Sequence, residues 1–201
     1  AVLARYRLQD AVAAIDEGLL DDDRLLDDDR ANRGELLLVP FVSARVPEIV
    51  TGIAVDPALE TLRARFDRVE DLDALLGPLH PSGWDPDPAD LPMLERLLTR
   101  AWSLDPDDLE LFVQSPQVAP ARTLMALFPR ARITIIGDGL MTYAPMRVGL
   151  GHAIASRITR VVHADVVPGV VPLVASPYAE PVAVAPELFG AALREVADAV
   201  P

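Results

Sequence analysis

Two short apolar runs, residues 109–113 and 132–136, lie on either side of a segment over 118–128 that reads as a helix ending near Pro129. Two strands joined through one helix are parallel, and their crossover is right-handed. A parallel pair has to be covered on both faces. This single unit therefore commits the chain to layers of helix, sheet and helix. The rest of the sequence repeats the pattern. Residues 36–39 form a continuous apolar run and read as a buried strand. Asp56 and Pro57 open a helix as N-cap and first helical residue, with Leu59, Leu62 and Phe66 on one face. Asp90 caps another, with Leu94, Leu97, Leu98, Ala101 and Trp102 at i, i+3, i+4, i+7, i+8 spacing. A helix over 150–159 leads to a strand over 160–166, stopped by Pro168-Gly169. Residues 182–184 read as a short strand, and 186–200 as an amphipathic helix with Phe189, Ala192, Leu193, Val196 and Ala197 inward. Residues 2–17 also read as a helix. The expected fold is α/β: a Rossmann-like, doubly wound, mainly parallel sheet in a single domain over residues 1–201.

Composition narrows the function. At 201 residues and 51% hydrophobic, the chain can bury a real core. There is no cysteine, so disulfides, thiolate metal sites and a cysteine nucleophile are excluded. All 18 basic residues are arginine, which excludes a lysine Schiff base and a P-loop lysine. The net charge of −13 disfavours nucleic acid, whose backbone needs a basic surface. Aromatic residues make up only 5%, too few for base-stacking platforms. No apolar run reaches the roughly 18 residues that span a bilayer, and no signal peptide opens the chain, so a cytoplasmic location is expected. The segment Leu19-Leu20-Asp21-Asp22-Asp23-Arg24 is repeated at once as Leu25-Leu26-Asp27-Asp28-Asp29-Arg30. It lacks the glycine and glutamate of a calcium-binding loop and reads as part of a solvated acidic loop over 19–34.

Ligands of open α/β sheets bind beyond the carboxyl ends of the strands. Two groups of candidates fall there. Ser115 and Gln117 follow the first strand of the βαβ unit, and Gly137-Asp138-Gly139 follows the second. Glycines permit conformations and close approaches that other residues resist. A carboxylate between them, Asp138, can act as general base on a bound hydroxyl; a simple Asp-Gly turn is the alternative. Tyr143, Arg147 and His152 come next, and Arg147 offers a forked donor to an anion or stands as a surface arginine. His163 and Asp165 share one face of a strand, but no third ligand lies in sequence reach, so no metal site is expected. His80 and Trp84 lie in a proline-rich loop over 78–92, where a histidine beside an exposed aromatic can touch substrate; a packed loop is the other reading, and the one the sequence favours. No Gly-x-Gly-x-x-Gly, Walker or Gly-x-Ser-x-Gly pattern occurs.

Over Arg132-Ile133-Thr134-Ile135-Ile136-Gly137-Asp138-Gly139 and on to Arg147, the sequence resembles the bacterial polysialyltransferase family. Three further segments carry the resemblance: Leu79-His80-Pro81-Ser82-Gly83-Trp84, Glu110-Leu111-Phe112-Val113-Gln114-Ser115-Pro116-Gln117, and Ala164-Asp165-Val166-Val167-Pro168-Gly169 with Pro172-Leu173. The resemblance implies one half of a GT-B enzyme, in which two Rossmann-like domains face a cleft. This chain would be the N-terminal, acceptor-side half. Asp138 would be the catalytic base, with Gly137, Gly139, Ser115, Gln117, Tyr143, Arg147, His80 and Trp84 around the substrate. Related sialyltransferases carry an acidic residue where Gly137 stands. The donor would be a CMP-sugar, with sialic acid the sugar named by the family, and the chemistry would need no metal or other cofactor.

The implied partners are an acceptor glycan and a C-terminal donor-binding domain or partner subunit, whose His-Pro motif should lie beyond residue 201. Without it the isolated chain is expected to be inactive. The family's opening strand, which should precede the helix at 2–17, reads as missing. Peripheral membrane association, and self-association through an apolar face, stay open. Two other readings remain. One is a non-catalytic Rossmann-like module that binds a sugar or protein; the other is an unrelated small-molecule enzyme.

Overall fold

Among the described residues, seven strands, all paired in parallel, form the centre of the molecule. They are β1 (Val2–Ala4), β2 (Leu37–Phe41), β3 (Arg68–Val69), β4 (Glu110–Val113), β5 (Arg132–Ile136), β6 (Ile158–Ala164) and β7 (Glu180–Val184). The helices are α1 (Leu8–Asp16), α2 (Pro57–Leu62), α3 (Leu72–Leu76), α4 (Leu91–Ala101), α5 (Ala121–Leu127), α6 (His152–Ala155) and α7 (Pro186–Ala199). This computed structural model describes residues 2–4, 8–19, 35–41, 57–137, 139–146, 149–165, 169–174 and 178–199. The aspartate repeat from Leu20 onward, Asp56, Asp138, Arg147 and Pro168 lie outside the described residues.

The strands pair as β1-β2-β3 and as β4-β5-β6-β7. β1 lies against β4, so the two sheets stand side by side. The spatial order is then β3-β2-β1-β4-β5-β6-β7, which reverses its direction of growth between β1 and β4. This is the doubly wound arrangement, and the chain has a Rossmann-like α/β fold.

The pleat of each strand sends neighbouring residues to opposite faces. On one face Leu37 and Val39 of β2, Leu111 and Val113 of β4, and Ile133 and Ile135 of β5 meet Leu72 of α3, Leu98 of α4 and Leu124 of α5. On the other, Leu36, Leu38, Phe112, Ile136, Val162 and Val184 meet Ala11, Val12, Ala13 and Ala14 of α1, Leu62 of α2 and Ala192 of α7. Small alanines on α1 let that helix lie close to the sheet.

The amino-terminal helix is shorter than its sequence pattern. Val2–Ala4 is a strand, pairing with Val39, Pro40 and Phe41, and α1 starts only at Leu8. A strand, β1, therefore precedes the first helix, where the sequence reads as helix alone. Leucine and alanine favour helix, but ladder bonds to β2 override a weak local preference. Gly18, at φ 77°, ends α1: Leu19 N–H reaches back to Ala14 O at 2.9 Å.

Other boundaries move for similar reasons. α5 starts at Ala121, and α6 is a single turn because β6 already begins at Ile158. Leu97 (56% exposed) and Ala101 face solvent, leaving Leu98 and Trp102 as the buried anchors of α4. Leu193 and Ala197 are likewise exposed on α7. Asp90 occupies the N-cap of α4 without a capping bond; Asp87 caps the preceding turn, accepting from Ala89 N–H at 2.8 Å. β3 and α3 have no counterpart in the sequence reading. α3 is capped by Asp71, which accepts from Ala74 N–H at 3.0 Å.

Two arginines tie the layers. Arg157 donates from Nη1 to Phe128 O and Ala131 O and from Nη2 to Met125 O, at 2.8, 2.9 and 2.6 Å. It thereby satisfies carbonyls at the end of α5, where helices leave acceptors unpaired. Arg65, in the turn after α2, forks onto Glu195 of α7 at 2.6 and 2.7 Å and reaches Asp16 of α1 at 3.2 Å. The Arg65 guanidinium holds the Glu195 carboxyl below its usual value. Such a folded-state depression stabilises above the unfolded value and is lost as pH falls through the folded one. The pair is part-exposed, so Arg65→Met should cost only about 1–2 kcal/mol in urea unfolding at pH 7. That difference from the parent should shrink as the pH is lowered from 4.5, the usual Glu value. A difference independent of pH down to acid would exclude this role for the ion pair.

Candidate functional site

The carboxyl edge of β4, β5 and β6 carries three loops. The first leaves β4 through Gln114, which is buried, and Ser115, whose φ is 49°. A non-glycine residue in this left-handed region costs energy and is kept where the surroundings demand it. The loop runs through Pro116, Gln117 and Val118 into α5. The second loop leaves β5 at Gly137 and, after Asp138, makes a 3-10 turn over Gly139–Tyr143. The third follows β6 and returns over residues 169–174.

A cleft of about 240 Å³ opens between the first two loops. Its floor is Ile135, Ile136 and Gly137; Ser115 and Gln117 line one side, and Met141 and Thr142 the other. A second cavity of about 250 Å³ lies at the opposite edge, among Glu35, Asp108, Glu110 and Arg132. It faces the amino ends of the strands. The carboxyl-edge cleft is the candidate site, because doubly wound sheets hold their ligands at that edge.

Gly137 is required by contact, not by backbone conformation. A Cβ there would stand 2.9 Å from Thr142 Oγ1 and 3.2 Å from both His163 Cβ and Val162 O. Its N–H donates to Val162 O at 2.7 Å. The end of β5 is thus pressed between β6 and the 3-10 turn. Thr142 is buried, and its carbonyl accepts from Leu173 and Val174 N–H, both at 3.0 Å. Tyr143 turns toward β6: its hydroxyl donates to Ala164 O at 3.0 Å, and its ring meets His163 edge-on at 6.1 Å. The turn after Asp138 is therefore fastened to β6 through Tyr143 and to the third loop through Thr142.

His163 is buried against Tyr143, and burial lowers its pKa below the usual 6.5, opposed by the Ala164 carbonyl and the Asp165 charge. Among the described residues no three His, Asp or Glu side chains are grouped to hold a metal.

Ser115, Gln117 and Gly137 line one cleft, as their places after adjacent strands imply. Tyr143 lies beside it, as a latch to β6. Gly139 opens the 3-10 turn. Asp138 and Arg147, next in sequence to Gly137 and Met146 respectively, lie outside the described residues. The exposed-aromatic reading of Trp84 is corrected: it is 5% exposed and packs in the core with Val39 and Val113, because the proline-rich loop folds down onto α5. His80 caps the turn Pro81–Gly83, with Nδ1 accepting from Ser82 N–H at 3.2 Å. His152 is exposed at the start of α6. The cleft also uses Val118, Met141, Thr142, Met146 and Val174, which the sequence did not single out. Their only signal was membership of loops that follow β4, β5 and β6.

No family model, no curated protein and no solved structure matches this chain.

Gly137→Ala should cost about 1–3 kcal/mol, the usual range for overpacking. Thr142→Ala in the same chain should give back part of that loss, so the double mutant should lose less than the sum of the single changes in urea unfolding. Strict additivity would show that the two residues do not press on each other. His163 makes a separate prediction. Its folded pKa lies below its unfolded one, so the unfolded chain takes up the proton first and stability falls as pH drops through 6.5. His163→Asn should flatten that part of the stability profile; an unchanged slope would contradict it.

Proposed function

We propose that the chain is the acceptor-side domain of an inverting glycosyltransferase similar to the bacterial polysialyltransferases. In this reading Asp138 takes the proton from an acceptor hydroxyl as that oxygen attacks the anomeric carbon of a CMP-sugar. The new glycosidic bond forms as the bond to the CMP phosphate breaks, and CMP leaves with its electron pair. Sialic acid is the proposed sugar, and a second domain or subunit holds the nucleotide. No metal is needed to balance the step.

The observation that carries this reading is the place of Gly137. It ends β5 at the carboxyl edge, forms part of the cleft floor, and lies across from Ser115 and Gln117. The residue that follows Gly137 in sequence is Asp138. A carboxylate next in sequence to a cleft residue suits general-base work on a bound hydroxyl in this reading. The turn over Gly139–Tyr143 is fastened by Thr142 and Tyr143, as a site that must hold geometry requires.

The test is CMP and CMP-sialic acid binding by calorimetry, with turnover on an acceptor glycan, using the longest protein the gene encodes. Asp138→Asn should leave CMP binding intact and lower kcat about 100- to 10,000-fold, the span attributed to a positioned acid–base group. Failure of that protein to bind any CMP nucleotide would sink the transferase reading and favour a binding module.

A further inference from the structure

The cleft above β5 is walled mainly by carbon. Its floor is the end of β5 at Ile135, Ile136 and Gly137, and Val118, Met141, Ala144, Met146 and Val174 stand around it. Its polar side chains are Ser115, Gln117 and Thr142, and none of the described lining residues is charged. The lip is apolar as well: Val118 is 56% exposed and Met141 59%, and Leu140, next to Met141 in sequence, 72%. Exposed apolar side chains gathered round a concavity mark a binding surface, whereas scattered ones do not.

A glycan has hydroxyls over most of its surface. Pressing it against methionine and valine would strip water from those hydroxyls without replacing the lost bonds. A polyanionic glycan would in addition approach a chain of net charge −13. An aromatic ring or short alkyl chain gains from the same walls, and methionine adapts to either shape. The volume, about 240 Å³, is below the roughly 300–1,000 Å³ of pockets that enclose larger ligands. It suits one ring-sized group, with the few polar side chains fixing its orientation.

We propose that this cleft binds an apolar group, aromatic or short alkyl, carried by the acceptor, so that the preferred acceptor is a glycoside with an apolar aglycone. That the group belongs to an acceptor rests on the transferase reading; that the cleft takes an apolar group does not. The aglycone sits over the end of β5 against Met141 and Val118. The sugar it carries lies at the mouth of the cleft, beside Gly137.

The test titrates two matched probes, p-nitrophenyl and methyl β-D-galactopyranoside, into the intact protein, read by ligand-observed NMR and calorimetry. The aryl glycoside should bind about tenfold or more tightly than the methyl one, the gain from burying one ring. Met141→Asp and Val118→Asp change exposed side chains, and each should remove most of that preference. Leu97→Asp, an exposed apolar position on α4 that does not line the cleft, should leave it unchanged, with circular dichroism confirming that all three variants are folded. Equal affinity for the two probes, binding of neither at millimolar concentration, or a preference that survives both cleft variants would overturn the proposal. Aryl preference in a protein that binds no CMP nucleotide would keep the apolar subsite and sink the transferase reading alone.

Discussion

A parallel sheet is shielded from water on both faces, so each of its strands must satisfy two cores at once. β5 shows what this demands. Ile133 and Ile135 point into the core shared with α3, α4 and α5; Ile136 points into the core shared with α1, α2 and α7. Between them, Thr134 is fully buried and keeps its hydroxyl paired by donating to Glu110 Oε1 at 2.7 Å. Arg160 and Arg132 approach the same carboxylate at 3.5 and 3.3 Å. The amino ends of these strands thus carry a paired ionic cluster, and the carboxyl ends carry the apolar cleft. The sheet is chemically polarised along its strands, which leaves one edge suited to holding a guest.

That polarity explains why the loops at the carboxyl edge are held so firmly. The strained backbone at Ser115, the close contact at Gly137 and the latch from Tyr143 to Ala164 all act on the loops that follow β4 and β5. Each limits the freedom of a loop that shapes the cleft. A loop pinned at its root loses less entropy when a ligand settles against it, so the rigidity of the floor favours binding without supplying a contact.

The features legible in the sequence were those set by local chemistry. β5 has the bounds the sequence suggests, Arg132–Ile136, with Gly137 closing it. The order of strand and helix from 109 onward followed from alternation alone. What escaped reading was decided by distant partners. Val2–Ala4 becomes a strand because β2 offers it a ladder thirty-odd residues away. β3 is two residues long and has no pattern of its own. Leu97 and Leu193 fit helical periodicity but look outward, since spacing gives a stripe and not its width. In the cleft, Ser115, Gln117 and Gly137 were visible from their places after strands. Met141, Met146 and Val174 were not, since a loop methionine or valine carries no mark of the partner it will face.

The grip of Arg65 on Glu195 joins residues 130 positions apart, and Glu17 accepts from the Ala185 amide across 168. One layer of the molecule, α1 with α2, therefore waits for α7. While the chain is being made, α1 and the outer face of β6 emerge long before the helix that packs over them. Until then Ala11, Val12, Ile136 and Val162 have an incomplete cover. The opposite layer, α3 with α4 and α5, has no such delay, because its partners follow one another in sequence. The domain should mature unevenly on the ribosome, one side early and the other only once α7 has emerged, and the nascent chain is most exposed to mispairing in that interval.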